Sequence, residues 1–306
     1  MNRLGCSYCG GDAVYLDRAT GEHLCEPHLA QRVENSVRRA IGASGGFFEG
    51  ERIAVAFSGG KDSSVLLHLL ATVFRPETGI DLIAITIDEG ITGYREETVR
   101  AAKELAVRLN VPHRVVSFNA AFGRDLDTLL AGREGRACTV CGVLRRRLLQ
   151  QAAREAGADR LATGHCLDDE AEAVVMNWLR GDLHRVAGFR PEGGEGWMVP
   201  RFKPLSQLSE KEVVSYALLC DLAFDLPECP YTRYALRAGV RGLVHRAEFL
   251  APGTMSRIVA GQEELEKRVH RLPASAHFST CPDCGEPMLG PTCRACTLLR
   301  LDQDNH

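Results

Sequence analysis

The sequence lacks the features that would place a protein in a membrane or outside the cell. No run of 18 apolar residues occurs among its 306 residues, so no segment is long enough to cross a bilayer as a helix. The first ten residues, MNRLGCSYCG, have no apolar core of the kind that a signal peptide needs. We therefore expect a cytoplasmic protein.

The chain also lacks an excess of charge of one sign. Its formal net charge is −3, so a nucleic-acid partner would need arginine and lysine concentrated in one region of the surface. The hydrophobic content of 45% is enough for one sizeable core with smaller satellites.

Cysteine, by contrast, is abundant: there are 12, and most of them form C-x-x-C pairs. In a reducing compartment such pairs predict metal or redox sites rather than structural disulfides. Two pairs of ligands near each end of the chain have the spacing of tetrahedral zinc sites, and segments this short would take folding energy from the metal. The predicted ligands of the two Zn²⁺ ions are Cys6, Cys9, Cys25 and His28 at one end and Cys281, Cys284, Cys293 and Cys296 at the other.

The stretch at residues 53–70, IAVAFSGGKDSSVLLHLL, predicts a nucleotide site. Its apolar start predicts a buried strand, its two glycines a tight turn, and the polar residues after them the beginning of a helix. Unpaired backbone N–H groups at a helix start, together with the helix dipole, favour a phosphate group. The spacing is not that of a Walker loop, which needs G-x-x-x-x-G-K-[ST].

From residue 52 to about 205 the pattern alternates between strand and helix. This alternation predicts an α/β fold with a doubly wound parallel sheet. We expect an N-terminal zinc finger with a linker helix at 1–45, the α/β domain at 50–272 and a C-terminal zinc ribbon at 275–306. The predicted strands are Arg52–Phe57, Asp81–Ile87, His113–Phe118 and Arg160–Thr163, and the predicted helices are Asp62–Phe74, Arg95–Leu109, Cys141–Ala156 and Asp168–Leu179.

In a doubly wound sheet the ligand lies beyond the carboxyl ends of the strands. Three stretches therefore converge on one crevice: Ser58–Ser64, Asp88–Gly90 and Gly164–Asp169. Adjacent carboxylates beside nucleotide phosphates are favourable if a Mg²⁺ ion bridges them to the triphosphate. One of Asp168 and Asp169 could instead cap the helix, and we favour Asp169 for the chemistry.

Three of the five cysteines outside both predicted zinc sites form a separate set. Cys138 and Cys141 follow a long loop, Asn119–Ala137, and precede a helix with three consecutive arginines. Thiols at a helix start near arginines have a depressed pKa. The third, Cys229, lies in a non-helical ECPY segment. As a pair, Cys138 and Cys141 could form a redox disulfide, half a zinc site or part of an iron–sulfur site.

A basic run at residues 232–246, TRYALRAGVRGLVHR, places four arginines near one helix face. Basic residues interleaved with an aromatic residue suit a phosphate backbone, although a solvated helix face is the usual outcome for such a run. The arginines are Arg233, Arg237, Arg241 and Arg246.

Together these motifs resemble the tRNA 2-thiouridine synthetases of the TtuA-like group, within the superfamily of PP-loop ATP pyrophosphatases. The resemblance covers nearly the whole chain and includes CxxC…CxxH, SGGKDS, CTVCGVLRR, ATGHCLDDEAE, ECPY and the terminal CxxC…CxxC. Known members of the superfamily cleave ATP between the α and β phosphates and adenylate an oxygen of their substrate. Two positions differ from the common pattern of the group: Arg145 stands where lysine is frequent, and Cys166 where asparagine is frequent.

The resemblance implies a sulfurtransferase that adenylates O2 of a tRNA uridine and replaces it with sulfur, releasing AMP and pyrophosphate. It implies a 4Fe–4S cluster held by Cys138, Cys141 and Cys229, and catalytic roles for Arg145 and Asp169. It also implies tRNA as substrate, a ubiquitin-like carrier protein or free sulfide as sulfur source, and a homodimer. The ATP site would use Ala56, Ser58, Gly59, Gly60, Lys61, Asp62, Ser63, Ser64, Ile87 and Gly164.

Three alternatives remain open from the sequence. The same cysteines could pass a persulfide without any cluster. Adenylation could serve another RNA base or a small molecule. A zinc-dependent RNA-binding scaffold with a vestigial nucleotide pocket is the non-enzymatic alternative, and the intact SGGKDS and paired aspartates argue against it.

Overall fold

The computed structural model describes residues 4–188, 198–222, 228–269, 278–289 and 293–300. The strands are β1 Tyr15–Leu16, β2 His23–Leu24, β3 Arg52–Ala56, β4 Asp81–Asp88, β5 His113–Ser117, β6 Arg160–Thr163, β7 Arg201–Phe202, β8 Phe278–Thr280 and β9 Pro287–Leu289. The α-helices are α1 Glu26–Ala43, α2 Lys61–Leu69, α3 Arg75–Thr78, α4 Arg95–Arg108, α5 Phe118–Phe122, α6 Leu126–Leu130, α7 Ala137–Glu155, α8 Leu167–Leu179, α9 Leu183–Val186, α10 Glu210–Leu219, α11 Leu236–Leu250, α12 Thr254–Val269 and α13 Arg294–Arg300. A π-helix covers Leu70–Phe74, and 3₁₀ turns cover Glu134–Arg136 and Thr232–Tyr234.

The central sheet has five strands, all parallel, in the order β5-β4-β3-β6-β7. Ala56, the last residue of β3, is in register with Ile85 of β4 on one side and Thr163 of β6 on the other. The strand order reverses between β3 and β6, and ligands bind at such a switch point. The predicted α/β class with a parallel sheet is confirmed.

Helices cover both faces of the sheet, because successive strand residues point to opposite sides. Ile53 and Val55 belong to a core shared with α1, α2, α4 and α10. Ala54 belongs to a second core shared with α6, α7 and α13. A smaller cluster joins α8, α11 and α12. The helices of both layers begin at the edge of the sheet that is formed by the carboxyl ends of the strands.

The observed boundaries differ from the predicted ones in two places that concern function. Helix α7 begins at Ala137, so Cys138 and Cys141 lie inside its first turns rather than ahead of the helix. The predicted loop at 119–137 contains two short helices, because Ser117 and Asp125 accept hydrogen bonds from the backbone N–H groups three residues later and cap α5 and α6. Strand β7 has only two residues and was not predicted.

The two ends of the chain form small antiparallel units. Strands β1 and β2 pair as a hairpin whose turn includes Gly21 at φ +76°. Strands β8 and β9 pair in the same way, and Ala295 of α13 is buried in the core shared with α7. Within the described part of the chain, none of the helices is long and apolar enough to span a membrane.

Candidate nucleotide and sulfur site

The turn between β3 and α2 is held in an unusual shape by its own side chains. Gly59 has φ +87°, and a Cβ atom there would lie 2.2 Å from the carbonyl oxygen of Thr98. The Ser58 N–H donates to Ser63 Oγ at 3.2 Å, and that hydroxyl donates to the Gly60 carbonyl at 3.0 Å. Only glycine fits the position of Gly59, and the turn therefore forms a preshaped backbone cradle.

The start of α2 is open toward the crevice. Its first helical hydrogen bond runs from Ser64 N to Gly60 O at 3.0 Å, so the N–H groups of residues 61–63 precede the helical ladder. Gly164, at the end of β6, lies so close that a Cβ would be 3.1 Å from Asp62 C and from Ser63 N. Two glycines thus bring the ends of β3 and β6 together around a helix start, and this arrangement fits a phosphate chain.

Lys61 and Asp62 supply charge of both signs beside this cradle. Lys61 Nζ lies 3.0 Å from Asp62 Oδ2 and 2.7 Å from Glu210 Oε1. Burial alone would lower the pKa of Lys61, but the two carboxylates outweigh it and raise the pKa, so the ammonium stays charged. Asp62 Oδ1 is buried without a hydrogen-bond partner among the described residues, and this free carboxylate oxygen fits a Mg²⁺ ligand.

Both aspartates of the GHCLDD motif cap helices. Asp169 Oδ2 accepts from the Cys166 N–H at 3.2 Å and so caps α8, while its Oδ1 accepts from Arg237 at 2.7 Å. Asp168 Oδ2 accepts from the Glu210 N–H at 2.7 Å and caps α10. Each of the two aspartates therefore caps a helix, whereas the sequence led us to expect a cap from only one of them.

The basic run on α11 is partly neutralised. Arg237 lies 2.7 Å from Asp169 and 2.8 Å from Glu172, and Arg241 forms an ion pair with Glu210. These contacts direct two of the four arginines to carboxylates of α8 and α10. The continuous basic face expected from the sequence is thus interrupted at both positions.

Three of the five cysteines outside the terminal clusters, Cys138, Cys141 and Cys229, lie close to one another. Cys138 Sγ lies 3.9 Å from the Tyr231 carbonyl oxygen, two residues after Cys229 in the chain. Cys141, Cys229 and Tyr231 all pack against the core that contains α7. All three thiols are free, so a disulfide between Cys138 and Cys141 is not formed. Three converging soft ligands fit an iron–sulfur cluster with one iron left without a protein ligand.

The expected depression of thiol pKa is wrong for Cys141. Burial raises the pKa of Cys141 to about 12, and the opposing charge of Arg145 does not compensate, because Glu89 adds negative charge nearby. Burial also raises the pKa of Cys229. Desolvation thus outweighs the charge of Arg145 at both thiols, and binding of a metal would oppose it by favouring the thiolate.

Glu89 and Arg95 connect the cysteines to the nucleotide turn. Glu89 Oε1 lies 4.0 Å from Cys141 Sγ and 3.5 Å from Arg145 Nη1, and Oε2 lies 2.8 Å from Arg95 Nε. Arg95 Nη1 donates to the Ser58 carbonyl at 3.3 Å. Sequence reasoning placed Glu89 at the crevice but missed Arg95, because nothing in a local pattern distinguishes a buried arginine from a solvated one.

Three further positions, Ile87, Cys166 and Cys220, lie partly or fully buried. The Ile87 carbonyl accepts a hydrogen bond from Arg95, so this acceptor is already used. Cys166 is buried, its Sγ lies 3.5 Å from Asp169 Oδ2, and burial raises its pKa. Cys220 is half-buried beside the core of α1 and α2.

Each predicted zinc cluster is assembled in the structure. Its four ligand atoms lie within 4.8 Å of one another in both cases. The close pairs are Cys9 with Cys25 at 3.6 Å, Cys281 with Cys296 at 3.8 Å and Cys284 with Cys293 at 3.9 Å. A tetrahedron of bonds of about 2.3 Å has edges of about 3.8 Å, so both clusters fit a single metal ion.

Backbone groups favour the thiolate form at the first cysteine of each cluster. Burial opposes ionisation of Cys6, but N–H groups including those of Tyr8, Cys25 and Cys9 outweigh it and lower its pKa to about 6. Burial likewise opposes ionisation of Cys281, but hydrogen bonds, including those from the backbone of Cys284 and Asp283, outweigh it and lower its pKa to about 7. Thiolate is the form that binds metal.

Exposed arginines surround the cysteine helix. Desolvation and the charges of Arg145, Arg201, Arg185 and Arg294 lower the pKa of Arg146. These side chains come from α7, α9, β7 and α13 and are all exposed. The described surface beside the sulfur site is therefore strongly positive, in spite of the negative net charge of the whole chain.

Comparison with known proteins agrees with this geometry. The PP-loop domain family matches residues 26–245. The tRNA 2-thiolation protein NcsA of Haloferax volcanii is 39% identical, over 97% of this chain and 98% of its own. The cytoplasmic tRNA 2-thiolation protein 1 of Drosophila melanogaster is 37% identical, over 98% of this chain and 88% of its own.

A solved structure shows the same fold across nearly the whole chain. It is the U34-tRNA thiolase NcsA from Methanococcus maripaludis with its 4Fe–4S cluster, which superimposes with a TM-score of 0.85 at 30% identity. The match covers 98% of this chain and 97% of the other. The chain therefore belongs to the PP-loop family of tRNA 2-thiolation proteins.

Proposed function

We propose that this chain is an ATP-dependent tRNA thiolase that converts uridine 34 into 2-thiouridine. The names of its relatives point to tRNA 2-thiolation, and the name of the solved neighbour points to that uridine. The observation that carries the proposal is a set of contacts that joins the two halves of the site, which are the nucleotide turn and the cysteine helix. Arg95 contacts the nucleotide turn at Ser58 O and Glu89 at the same time, and Glu89 lies 4.0 Å from Cys141 Sγ.

The nucleotide half activates the base. Uridine O2 attacks the α-phosphorus of ATP, the bond to the β-phosphate oxygen breaks, and pyrophosphate leaves. The N–H groups at the start of α2 and the Lys61 ammonium would stabilise the charge on the departing pyrophosphate. Asp62, with its free Oδ1, and Asp169 would hold the Mg²⁺ ion that accompanies the triphosphate.

The sulfur half completes the exchange. Cys138, Cys141 and Cys229 would hold the 4Fe–4S cluster, which when bound supplies an iron without a protein ligand at which sulfide can be kept. Replacement of the adenylated O2 by sulfide at C2 expels AMP and leaves sulfur in its place. Arg145 is a permanent cation that would orient the negatively charged reactants, since a guanidinium does not donate its proton near neutral pH.

The tRNA backbone would lie over the exposed arginines beside α7. Guanidinium groups pair with phosphate oxygens in two parallel hydrogen bonds, and such contacts supply most of the affinity for nucleic acid. The two terminal clusters would each hold a Zn²⁺ ion and stabilise units that are too small to fold on a core of their own.

The decisive experiment is anaerobic reconstitution of the full chain with single cysteine variants. Iron and acid-labile sulfide are measured, and 2-thiouridine is quantified by nucleoside mass spectrometry after incubation with tRNA, ATP, Mg²⁺ and sulfide. C138A, C141A and C229A are each expected to lose thiolation while remaining folded. C220A is the matched control, because this thiol is half-buried but lies outside every proposed site, and it is expected to keep wild-type activity.

The outcomes separate the alternatives. Thiolation retained in any of the three cysteine variants contradicts the proposed sulfur site. Full activity without iron contradicts the cluster, and a persulfide on the same cysteines would then require a donor of sulfane sulfur in place of sulfide. Absence of tRNA-dependent AMP release in the wild type contradicts an adenylating enzyme and leaves the RNA-binding scaffold.

A further inference from the structure

We propose that the buried Glu89–Arg95 pair is the positioning element that aligns the nucleotide turn with the cysteine helix. The inference rests on the proposed function, since it assigns to these residues the task of bringing the activated uridine and the sulfur to one point. Neither residue would touch the reacting atoms in this role. Each would act through the groups that it holds.

Arg95 is attached to the nucleotide side by three neutral acceptors. Its side chain is 5% exposed, and its Nη1 donates to the Ser58 carbonyl at 3.3 Å and to Thr98 Oγ1 at 2.8 Å. Its Nη2 donates to the Ile87 carbonyl. Thr98 is also the residue whose carbonyl oxygen packs against Gly59. Arg95 therefore fixes the end of β4 and the turn after β3 relative to each other.

Glu89 is attached to the sulfur side. Its side chain is 4% exposed, and Oε1 is shared between Arg145 Nη1 at 3.5 Å and Cys141 Sγ at 4.0 Å. Its backbone carbonyl accepts from Leu126 N at 2.8 Å, which ties α6 to the same point. A single buried carboxylate thus contacts a proposed cluster ligand and a proposed catalytic arginine while its other oxygen pairs with Arg95.

A buried ion pair is weak support for stability, because desolvation offsets much of the attraction. At this place the ion pair contributes to the alignment of the site rather than to stability. Uridine activation and sulfur attack must occur on one aligned substrate, and a displacement of about 1 Å can cost a factor of about 100 in rate. The Glu89 carboxylate and the Arg95 guanidinium are rigid groups that bridge the ends of the strands, so they limit such a displacement.

The opposite end of the sheet offers a matched pair. Glu51 is 1% exposed and lies 2.5 Å from Arg160 Nε, beside the amino ends of β3 and β6. This pair has the same chemistry and an equally buried carboxylate but is remote from the crevice. Its variants control for the loss of stability that accompanies any change to a buried carboxylate.

The first test compares E89D with E51D. Aspartate keeps the negative charge but withdraws the carboxylate by one methylene from Arg95, Arg145 and Cys141. In E89D we expect wild-type iron content, a KM for ATP within about twofold of wild type, and about tenfold less 2-thiouridine per AMP released. E51D is expected to keep the wild-type ratio. A merely structural role would lower AMP and 2-thiouridine together and would overturn the proposal.

A spectroscopic readout tests the same linkage without turnover. The EPR spectrum of the reduced cluster is recorded with and without ATP. Wild type and E51D are expected to change on addition of ATP, and E89D is expected not to respond. The proposal is overturned if ATP leaves the wild-type spectrum unchanged or if E89D responds as wild type does.

A second variant guards against misfolding of E89D. R95K keeps the positive charge, but an ammonium cannot bond Ser58 O, Ile87 O and Glu89 in the geometry of the guanidinium fork. It is expected to give the same fall in 2-thiouridine per AMP, and an unchanged ratio contradicts the role.

If the wild type holds no iron and forms no 2-thiouridine, the proposed function fails and the positioning role falls with it. If the wild type does both and E89D retains its ratio, only the positioning role fails.

Discussion

Lys61 Nζ lies 2.7 Å from Glu210 Oε1, so the first residue of α2 is joined to the first residue of α10. The same first turn of α10 is tied to the N-terminal unit, because Arg32 lies 2.9 Å from Glu212 and 3.1 Å from Glu22 of the hairpin. The lysine that faces the phosphate cradle is thus held by a helix that also anchors the N-terminal metal cluster.

Replacement of Lys61 by alanine is expected to raise the KM for ATP by about tenfold or more, because a charge-assisted contact to phosphate is worth about 1.5–3 kcal/mol. The measurement is AMP release at varied ATP concentration. K211A, an exposed lysine on the same helix as Glu210, serves as control and is expected to leave the KM unchanged. An equal KM in K61A and K211A would show that Lys61 does not bind the nucleotide.

Substitution of Gly59 by alanine should damage both stability and ATP binding. The left-handed backbone would cost about 1–3 kcal/mol, and the new Cβ would lie 2.2 Å from the Thr98 carbonyl, so the turn must shift. G42A is the matched control, because Gly42 lies within α1 and a Cβ there meets nothing within 4 Å. It is expected to be neutral or to stabilise by up to about 1 kcal/mol. Urea unfolding compares the two, and equal stability would contradict the strained geometry.

Removal of one ligand from a terminal cluster should release one metal ion. We expect two Zn²⁺ ions per wild-type chain and one in either C25A or C281A, since each cluster offers one tetrahedral set. C220A should retain both. Elemental analysis of the purified proteins gives the count, and two ions remaining in C25A would refute the assignment at the N-terminal end.

Stability should decrease as the pH falls below about 6.5. Burial lowers the pKa of His113 from its usual 6.5, and the positive charge of Lys103 lowers it further. The unfolded chain then binds the proton first, so the free energy of unfolding declines as pH falls through the lower pKa of the folded state. Nε2 of His113 lies 2.7 Å from Thr86 Oγ1 in the folded chain.

The H113Q variant isolates this contribution. Urea unfolding is measured at several pH values between about 7.5 and 5, and the slope of unfolding free energy against pH is expected to be smaller in the variant. His68 and His165 also have pKa values lowered chiefly by burial, so part of the slope should persist. An identical slope in wild type and H113Q contradicts the assignment.

The sequence predicted the sheet and the nucleotide turn because both depend on local chemistry. The apolar run before Ser58 and the two glycines after it determine a strand and a turn whatever surrounds them. The strand Arg160–Thr163 agrees with the prediction residue for residue. The terminal metal clusters were equally predictable, since ligand spacing within a short segment restricts the geometry.

The contacts that join the half-sites were not predictable, because they depend on burial created by distant segments. Arg95 opens a helix that looks solvated in sequence, yet it is enclosed by β4 and the turn after β3. The sequence suggests Arg237 as a phosphate ligand. In the fold, however, α8 places Asp169 and Glu172 beside it. Likewise, arginines near Cys141 suggested a low thiol pKa, and burial reversed the direction.

The most direct test of the central claim is mass spectrometry of tRNA nucleosides from cells that lack this protein. We predict that 2-thiouridine at position 34 is lost, returns with the wild-type chain, and does not return with C138A. Unchanged 2-thiouridine in the deletion strain, or full restoration by C138A, would contradict the account.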